Sequence, residues 1–204
     1  MSQPLVVTFI KNDENLCKIY YHWSAYTEGA IHWTKDIISA LSDCDVKTMT
    51  EDELILKLIR FVESHGGCIT RNKEFDELDY IQKKFPNEKF HDDGSRNEGL
   101  FACSQENMNS FDAYACGMVF IDLDAHTVTN YVNSMFETYD EYAEIYDDEC
   151  RLPEDKLPVY DAPINEFKFE DIDKIVNITD EIIKKEEDPV YKNLTTGDII
   201  VFDM

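Results

Sequence analysis

Asp122, Asp124 and His126 follow one another at intervals of two. On an extended strand that spacing turns all three side chains to one side, because successive residues alternate between faces. Two carboxylates and an imidazole grouped in this way can hold a divalent ion and activate its bound water, the chemistry of a metal-dependent hydrolase or nuclease. Glu98 is a candidate fourth ligand if the fold brings it near. The same Asp-Ala-His run is also turn chemistry at a hairpin tip. A second group, His22-Trp23 and His32-Trp33, brackets an early strand-to-helix connection. Its aromatic faces and imidazoles can stack on a ligand or a partner's side chain, or dock a helix onto a sheet. His22, Trp23 and Tyr26 are its candidate partner-binding residues.

Other routes to catalysis are poorly supported. Cys17, Cys44, Cys68, Cys103, Cys116 and Cys150 are dispersed with no C-x-x-C pair, so the close-spaced thiolates of a structural zinc site are missing. They are expected to be reduced and mostly buried as small hydrophobes. A Cys-His pair could still assemble in the fold, but nothing marks one thiol above the others. No phosphate-binding loop, nucleophile elbow or dinucleotide-binding turn is present. No cofactor is expected, and the balance leans away from an enzyme.

Charge is the dominant compositional feature. Among 204 residues, 43 are acidic and 19 basic, a formal net charge of -24. Such a surface repels phosphate backbones and anionic lipid, which argues against direct nucleic-acid or membrane binding and points to basic partner surfaces. It equally serves plain solubility. A content of 43% hydrophobic and 12% aromatic residues nevertheless suffices for a folded core. No run approaches the roughly 20 apolar residues of a membrane span, and Met1-Ser-Gln-Pro-Leu lacks signal-peptide character. The expectation is a cytoplasmic protein.

The excess concentrates in one place. Glu137, Asp140, Glu141, Glu144, Asp147, Asp148 and Glu149 are interleaved with Tyr139, Tyr142 and Tyr146. The tyrosines recur every three to four residues and could anchor one helical face, leaving the carboxylates as a partner-binding surface.

The elements that would carry these groups read as follows. Leu5 to Ile10 and Leu16 to His22 are strand-like runs around a polar turn, with Leu16, Lys18, Tyr20 and His22 expected on one side. Ile31, Trp33 or Thr34, Ile37, Ile38 and Leu41 mark a helix. Thr50-Glu-Asp-Glu53 has the spacing of a capping box before a second helix that Gly66-Gly67 ends. A helix between Lys73 and Phe85, a short strand at Gly99 to Cys103 and a helix capped by Ser104 follow. Gly117 to Leu123 and Thr127 to Val132 read as an antiparallel hairpin, with Val119, Ile121 and Leu123 on one face. A helix from Asp171 to Lys185 and a strand at Thr196 to Phe202 complete the reading. The expected class is α+β, a mixed or mainly antiparallel sheet with helices packed on one face. Residues 1–135 would form the core domain and 136–204 an acidic extension docked on it.

Tyr21-His-Trp-Ser-Ala-Tyr-Thr-Glu-Gly29 also resembles a segment found in uncharacterised phage and mobile-element proteins. There a first hairpin is followed by His-Trp-Asp-x-Tyr-Pro-x-Gly. His22, Trp23, Tyr26 and Gly29 match, while Ser24 and Thr27 replace the Asp and the Pro. Gly99 to Ser104 and Gly117 to Asp124 are similar to the middle strands of that group. The resemblance implies a phage or mobile-element context and carries no activity.

Together these readings suggest an acidic inhibitor that occupies a basic, nucleic-acid-binding surface of a host defence enzyme, in the manner of an anti-CRISPR protein. The alternative is a metal-dependent hydrolase or nuclease built on Asp122, Asp124 and His126.

Overall fold

The first hairpin follows directly from local chemistry. Leu5–Lys11 forms β1 and Glu14–Tyr21 forms β2, both rich in the β-branched and aromatic residues that suit a pleated, buried surface. Between them Asn12 and Asp13 have φ of 54° and 61°, the double positive-φ signature of a two-residue hairpin turn that these side chains tolerate. In this computed structural model the described residues are 3–25, 27–69, 77–91, 94–132, 156–158, 166–177, 190–193 and 199–201.

The remaining elements come in chain order. Helices α1 (Thr27–Ser42) and α2 (Glu51–Ser64) precede α3 (Leu78–Lys84). A short 3-10 turn, Arg96–Glu98, leads into β3 (Leu100–Ala102) and α4 (Gln105–Ala113). The hairpin β4 (Gly117–Asp122) and β5 (Thr127–Val132) follows. Three-residue strands β6 (Lys156–Pro158) and β7 (Glu166–Lys168) precede β8 (Val190–Asn193) and β9 (Ile199–Val201). Residues 172–177 are helical.

The class is α+β. One six-stranded sheet runs in the order β3-β2-β1-β4-β5-β7, and β6-β8-β9 form a second sheet. Every pairing of named strands is antiparallel except β1 with β4, where Val7 faces Val119 and Phe9 faces Ile121. The C-terminal third returns to the first sheet through β7, which pairs with β5, and through Ile172 and Val176, which join the core. The last strand, β9, pairs with β8 in the second sheet.

The two faces of the large sheet are covered differently. Leu5, Val7, Phe9, Cys17, Ile19, Tyr21, Val119 and Ile121 meet Ile31, Ile37 and Leu41 of α1, Leu54, Leu58, Ile59 and Val62 of α2, and Ile81 of α3. Val6, Tyr20, Leu100 and Ala102 face the other way, against Met108 and Phe111 of α4. Helices α1 to α3 thus share one face, and α4 covers part of the opposite one. A register shift between Phe9 and Ile10 separates Leu16 from Lys18 and Tyr20 and places it in the larger cluster. The expected grouping of Leu16 with those two residues therefore fails at a β-bulge, where one extra residue reverses the alternation.

Caps set the helix positions. The Thr50 hydroxyl accepts from the Glu53 N–H at 3.3 Å while the Glu53 carboxylate accepts from the Thr50 N–H at 2.8 Å, a complete capping box. The bonds from Thr50 hold the exposed Glu53 carboxyl below its ordinary pKa. At the other end of α2, Gly66 has φ +80°, and a Cβ at Gly67 would meet the carbonyl oxygens of Glu98 and Gly99. Only glycine lets α2 end this close to the entry of β3.

Candidate functional site

The β4–β5 turn brings Asp122, Asp124 and His126 into one short segment and then divides them. The Asp122 carboxylate turns back on its own loop, accepting from the N–H groups of Asp124 and Ala125 at 2.9 and 2.7 Å. This is the local Asx bond that makes aspartate a turn former. Asp124 points to the first hairpin, accepting from Lys11 Nζ at 2.6 Å and from the Asn12 N–H at 2.7 Å. Those two donors, the ammonium first, hold its carboxyl below the usual aspartate value.

His126 takes a third direction. Its φ is 58°, outside the strand conformation that the two-residue spacing assumes. The ring stacks on Phe169 with centroids 5.1 Å apart and planes 5° from parallel, and the His126 carbonyl accepts from the Phe169 N–H at 3.0 Å. The metal-site expectation is corrected on this point: the chain leaves the extended conformation at Leu123, so the three side chains do not share a side. Glu98 belongs to the opposite end of the sheet, since it precedes Leu100, which pairs with Tyr20, and Tyr20 pairs with Val6. Among the described residues no group of three or more His, Cys, Asp or Glu could hold a metal ion.

The connection after β2 is better formed as a surface. The His22 N–H donates to the Arg96 carbonyl at 3.2 Å, and the His22 Nδ1 lies 3.2 Å from the Tyr20 hydroxyl. Trp23 stands edge-on to His22, with centroids 5.0 Å apart, and 46% of its surface is exposed. Tyr114, at the C-cap of α4, is 51% exposed. Burial raises the Tyr20 phenol pKa, with Tyr114 and Cys116 adding to the shift and Arg96 opposing it. Tyr20 therefore marks where β2, the Arg96–Glu98 turn and the end of α4 converge. Trp23 and Tyr114 are the large apolar side chains left open there, and sequence reading found the first but not the second.

The second His-Trp pair is mainly structural. Trp33 stacks on Tyr21 with centroids 4.2 Å apart and donates its indole N–H to the buried Ser24 hydroxyl at 3.1 Å. His65 meets Trp33 edge-on at 5.8 Å. Tyr21 is wholly buried, with no partner for its hydroxyl among the described residues. Burial drives its pKa well up, and the nearby Asp36 adds to the shift. His32 lies on the exposed side of α1.

Buried charge falls on residues the sequence did not single out. Lys11, Lys18 and Glu77 are the charged side chains buried among the described residues. Lys11 pairs with Asp124, Lys18 with Asp112 of α4, and Glu77 with backbone N–H groups at the start of α4. Of these charged residues Lys11 lines a polar crevice of about 170 Å³, together with Tyr80, Lys84 and Cys103 among others. Of the cysteines, Cys17, Cys68 and Cys103 are buried thiols, Cys44 is half-buried and Cys116 is exposed.

The acidic stretch of Glu137, Asp140, Glu141, Glu144, Asp147, Asp148 and Glu149, with Tyr139, Tyr142 and Tyr146, lies outside the described residues, as do Tyr26 and Cys150. Among the described residues no helix is long and apolar enough to cross a membrane. Comparison of the chain with family models, with curated proteins and with solved structures finds no match.

Proposed function

We propose that this chain is an acidic interaction protein that occupies a basic, nucleic-acid-binding groove on another protein. The observation that carries the reading is the charge: 43 acidic against 19 basic side chains on a chain with an ordinary apolar core. Among the described residues the fold adds slightly to the imbalance at the surface, because Lys11 and Lys18 are withdrawn into the interior against Glu77 alone. Carboxylates held on a folded scaffold attract a Lys- and Arg-lined channel over long range and speed association with it. Exposed Trp23 and Tyr114 supply apolar contact in addition to the charge, and cations of the partner bind well over such rings.

A nucleic-acid-handling defence enzyme of a host cell is the partner class this reading favours, with the protein acting there as an inhibitor in the cytoplasm. The resemblance of the His22-Trp23 segment to phage and mobile-element proteins supports that setting. The reading requires no cofactor and no metal.

The test is a pull-down of the tagged protein from a bacterial lysate at low and high salt, followed by competition with nucleic acid. Recovery of a basic, nucleic-acid-handling protein that high salt or added nucleic acid displaces supports the reading. A complex that is insensitive both to salt and to charge reversal at Asp147, Asp148 and Glu149 overturns it.

A further inference from the structure

Cys17 of β2 and Cys103, the residue after β3, belong to one buried cluster. The antiparallel register places Lys18 opposite Ala102 and Ile19 opposite Phe101, and continuing it one step beyond the end of β3 sets Cys17 opposite Cys103. Hydrogen bonding fixes which kind of pair this is. The Phe101 N–H donates to the Cys68 carbonyl at 3.0 Å, away from β2, and the Cys103 N–H donates to the Glu77 carboxylate at 3.0 Å. Ile19–Phe101 and Cys17–Cys103 are therefore non-hydrogen-bonded pairs, in which opposite Cα atoms approach to about 4.5 Å and side chains come closest. That separation lies within the roughly 4.4–6.8 Å that a disulfide spans. Both cysteines belong to the same buried cluster, and a charge on Cys103 raises the Cys17 pKa, as neighbouring groups must.

Access is unequal. Cys17 is wholly buried, whereas Cys103 lines the crevice with Lys11, Tyr80 and Lys84 and keeps a small exposed area. We propose that Cys17 and Cys103 form an oxidisable pair, in which a hydroperoxide entering the crevice oxidises Cys103 and Cys17 then closes a cross-strand disulfide. In the first step the Cys103 sulfur attacks a peroxide oxygen. With hydrogen peroxide this gives a sulfenic acid and one water. In the second step the Cys17 sulfur, losing its proton, attacks the Cys103 sulfur, and the hydroxyl group leaves with that proton as a second water. Two electrons pass from the two sulfurs to the peroxide. Burial keeps both thiols protonated, Cys103 further so beside the Glu77 carboxylate, which makes the reaction slow compared with that of exposed Cys116. The product ties the three-residue edge strand β3 to β2.

The experiment uses the full chain with Cys44, Cys116 and Cys150 changed to Ser, treated with millimolar hydrogen peroxide and mapped by mass spectrometry without reduction. The expected result is a linked peptide joining Cys17 to Cys103, a Tm raised by roughly 5 °C or more, and reversal of both by dithiothreitol. In Cys17→Val, Cys103 should instead stop as a sulfenic acid that dimedone traps, with no rise in Tm. Should that variant fail to fold, Cys103→Ala serves in its place, and Cys17 should then stay unreacted in the folded chain. Accumulation of Cys103 sulfinic acid without linkage in the Cys17-containing chain, or oxidation of Cys17 in Cys103→Ala, overturns the proposal.

Discussion

The Glu77 carboxylate accepts from the Ser104 backbone N–H at 2.8 Å across 27 residues of sequence. The same carboxylate accepts from the Cys103 N–H at 3.0 Å and from the Ser104 hydroxyl, while the Ser104 hydroxyl accepts from the Asn107 N–H at 3.4 Å. An anion thus stands at the N-terminus of α4, where the helix dipole and unpaired N–H groups favour it. It also fixes the start of α3 to the end of β3. Removing it leaves buried donors without an acceptor. Glu77→Ala should destabilise the fold by about 2–4 kcal/mol, and Glu77→Gln by less, because the amide oxygen keeps one acceptor. Urea unfolding of the variants checks this, and equal losses for Ala and Gln would show that packing dominates.

Lys18 and Asp112 make a sharper comparison. The Lys18 side chain is 4% exposed and Asp112 38%. Asp112→Ala leaves a buried ammonium without its counter-ion and should cost about 2–3 kcal/mol. Lys18→Met removes the charge itself, keeps an unbranched apolar stem beside α4, and should change stability by about 1 kcal/mol or less in either direction. The order of the two effects is the readout, and a Lys18→Met loss exceeding that of Asp112→Ala would contradict the assignment.

Acid should weaken the contact between the two hairpins. The Asp124 carboxyl has a folded-state pKa lowered from 3.8, chiefly by Lys11 and next by the Asn12 N–H. A lowered folded pKa contributes stability that is fully present above the unfolded value and is lost as pH falls through the folded value. Stability should therefore fall below about pH 4 more steeply in the native chain than in Asp124→Asn, which does not titrate. Asp124 is 43% exposed, so solvent screening limits the size of the difference. Parallel pH profiles for the two proteins would remove the link to Asp124.

How much of this was readable in advance depends on the range of the interaction. The capping box at Thr50, the N-cap at Ser104, the Asn12-Asp13 turn and the alternating Val119, Ile121 and Leu123 are local patterns, and each appears where the residues predict it. The parallel pairing of β1 with β4, the Glu77 anchor and the burial of Lys11 and Lys18 depend on partners far along the chain. A lysine in a strand carries no sign that an aspartate 94 residues away will pair with it. The expectation that Asp122, Asp124 and His126 share one side fails for a related reason. Its two-residue period presumed a strand through His126, but Asp122 itself bonds the N–H groups of the following turn and ends that strand.

Divalent ions should consequently leave the β4–β5 turn unaffected. Thermal melts with millimolar Mg²⁺, Mn²⁺ or Zn²⁺ should show the same ion dependence in the native chain and in an Asp122→Asn, Asp124→Asn variant. An ion bound at this turn in the folded state alone would stabilise only the native chain. Asp122→Ala should separately cost about 1 kcal/mol through its lost turn bonds. A metal-dependent rise in Tm confined to the native chain would favour the metal reading.

Trp23 and Tyr114 separate a binding surface from a structural one. Both are about half exposed, so Trp23→Ala and Tyr114→Ala should alter stability by no more than about 0.5 kcal/mol. Exposed aromatics that anchor a partner behave differently in binding, where truncation removes contact area and a ring face for the partner's cations. Each substitution should weaken the salt-sensitive complex by at least about tenfold, mainly through faster dissociation. Charge reversal within Glu137 to Glu149 should instead slow association and flatten the dependence on ionic strength. Titrations of the captured partner against the three variants distinguish these effects. Unchanged affinity for Trp23→Ala and Tyr114→Ala would leave the acidic stretch as the contact and exclude the face around Tyr20.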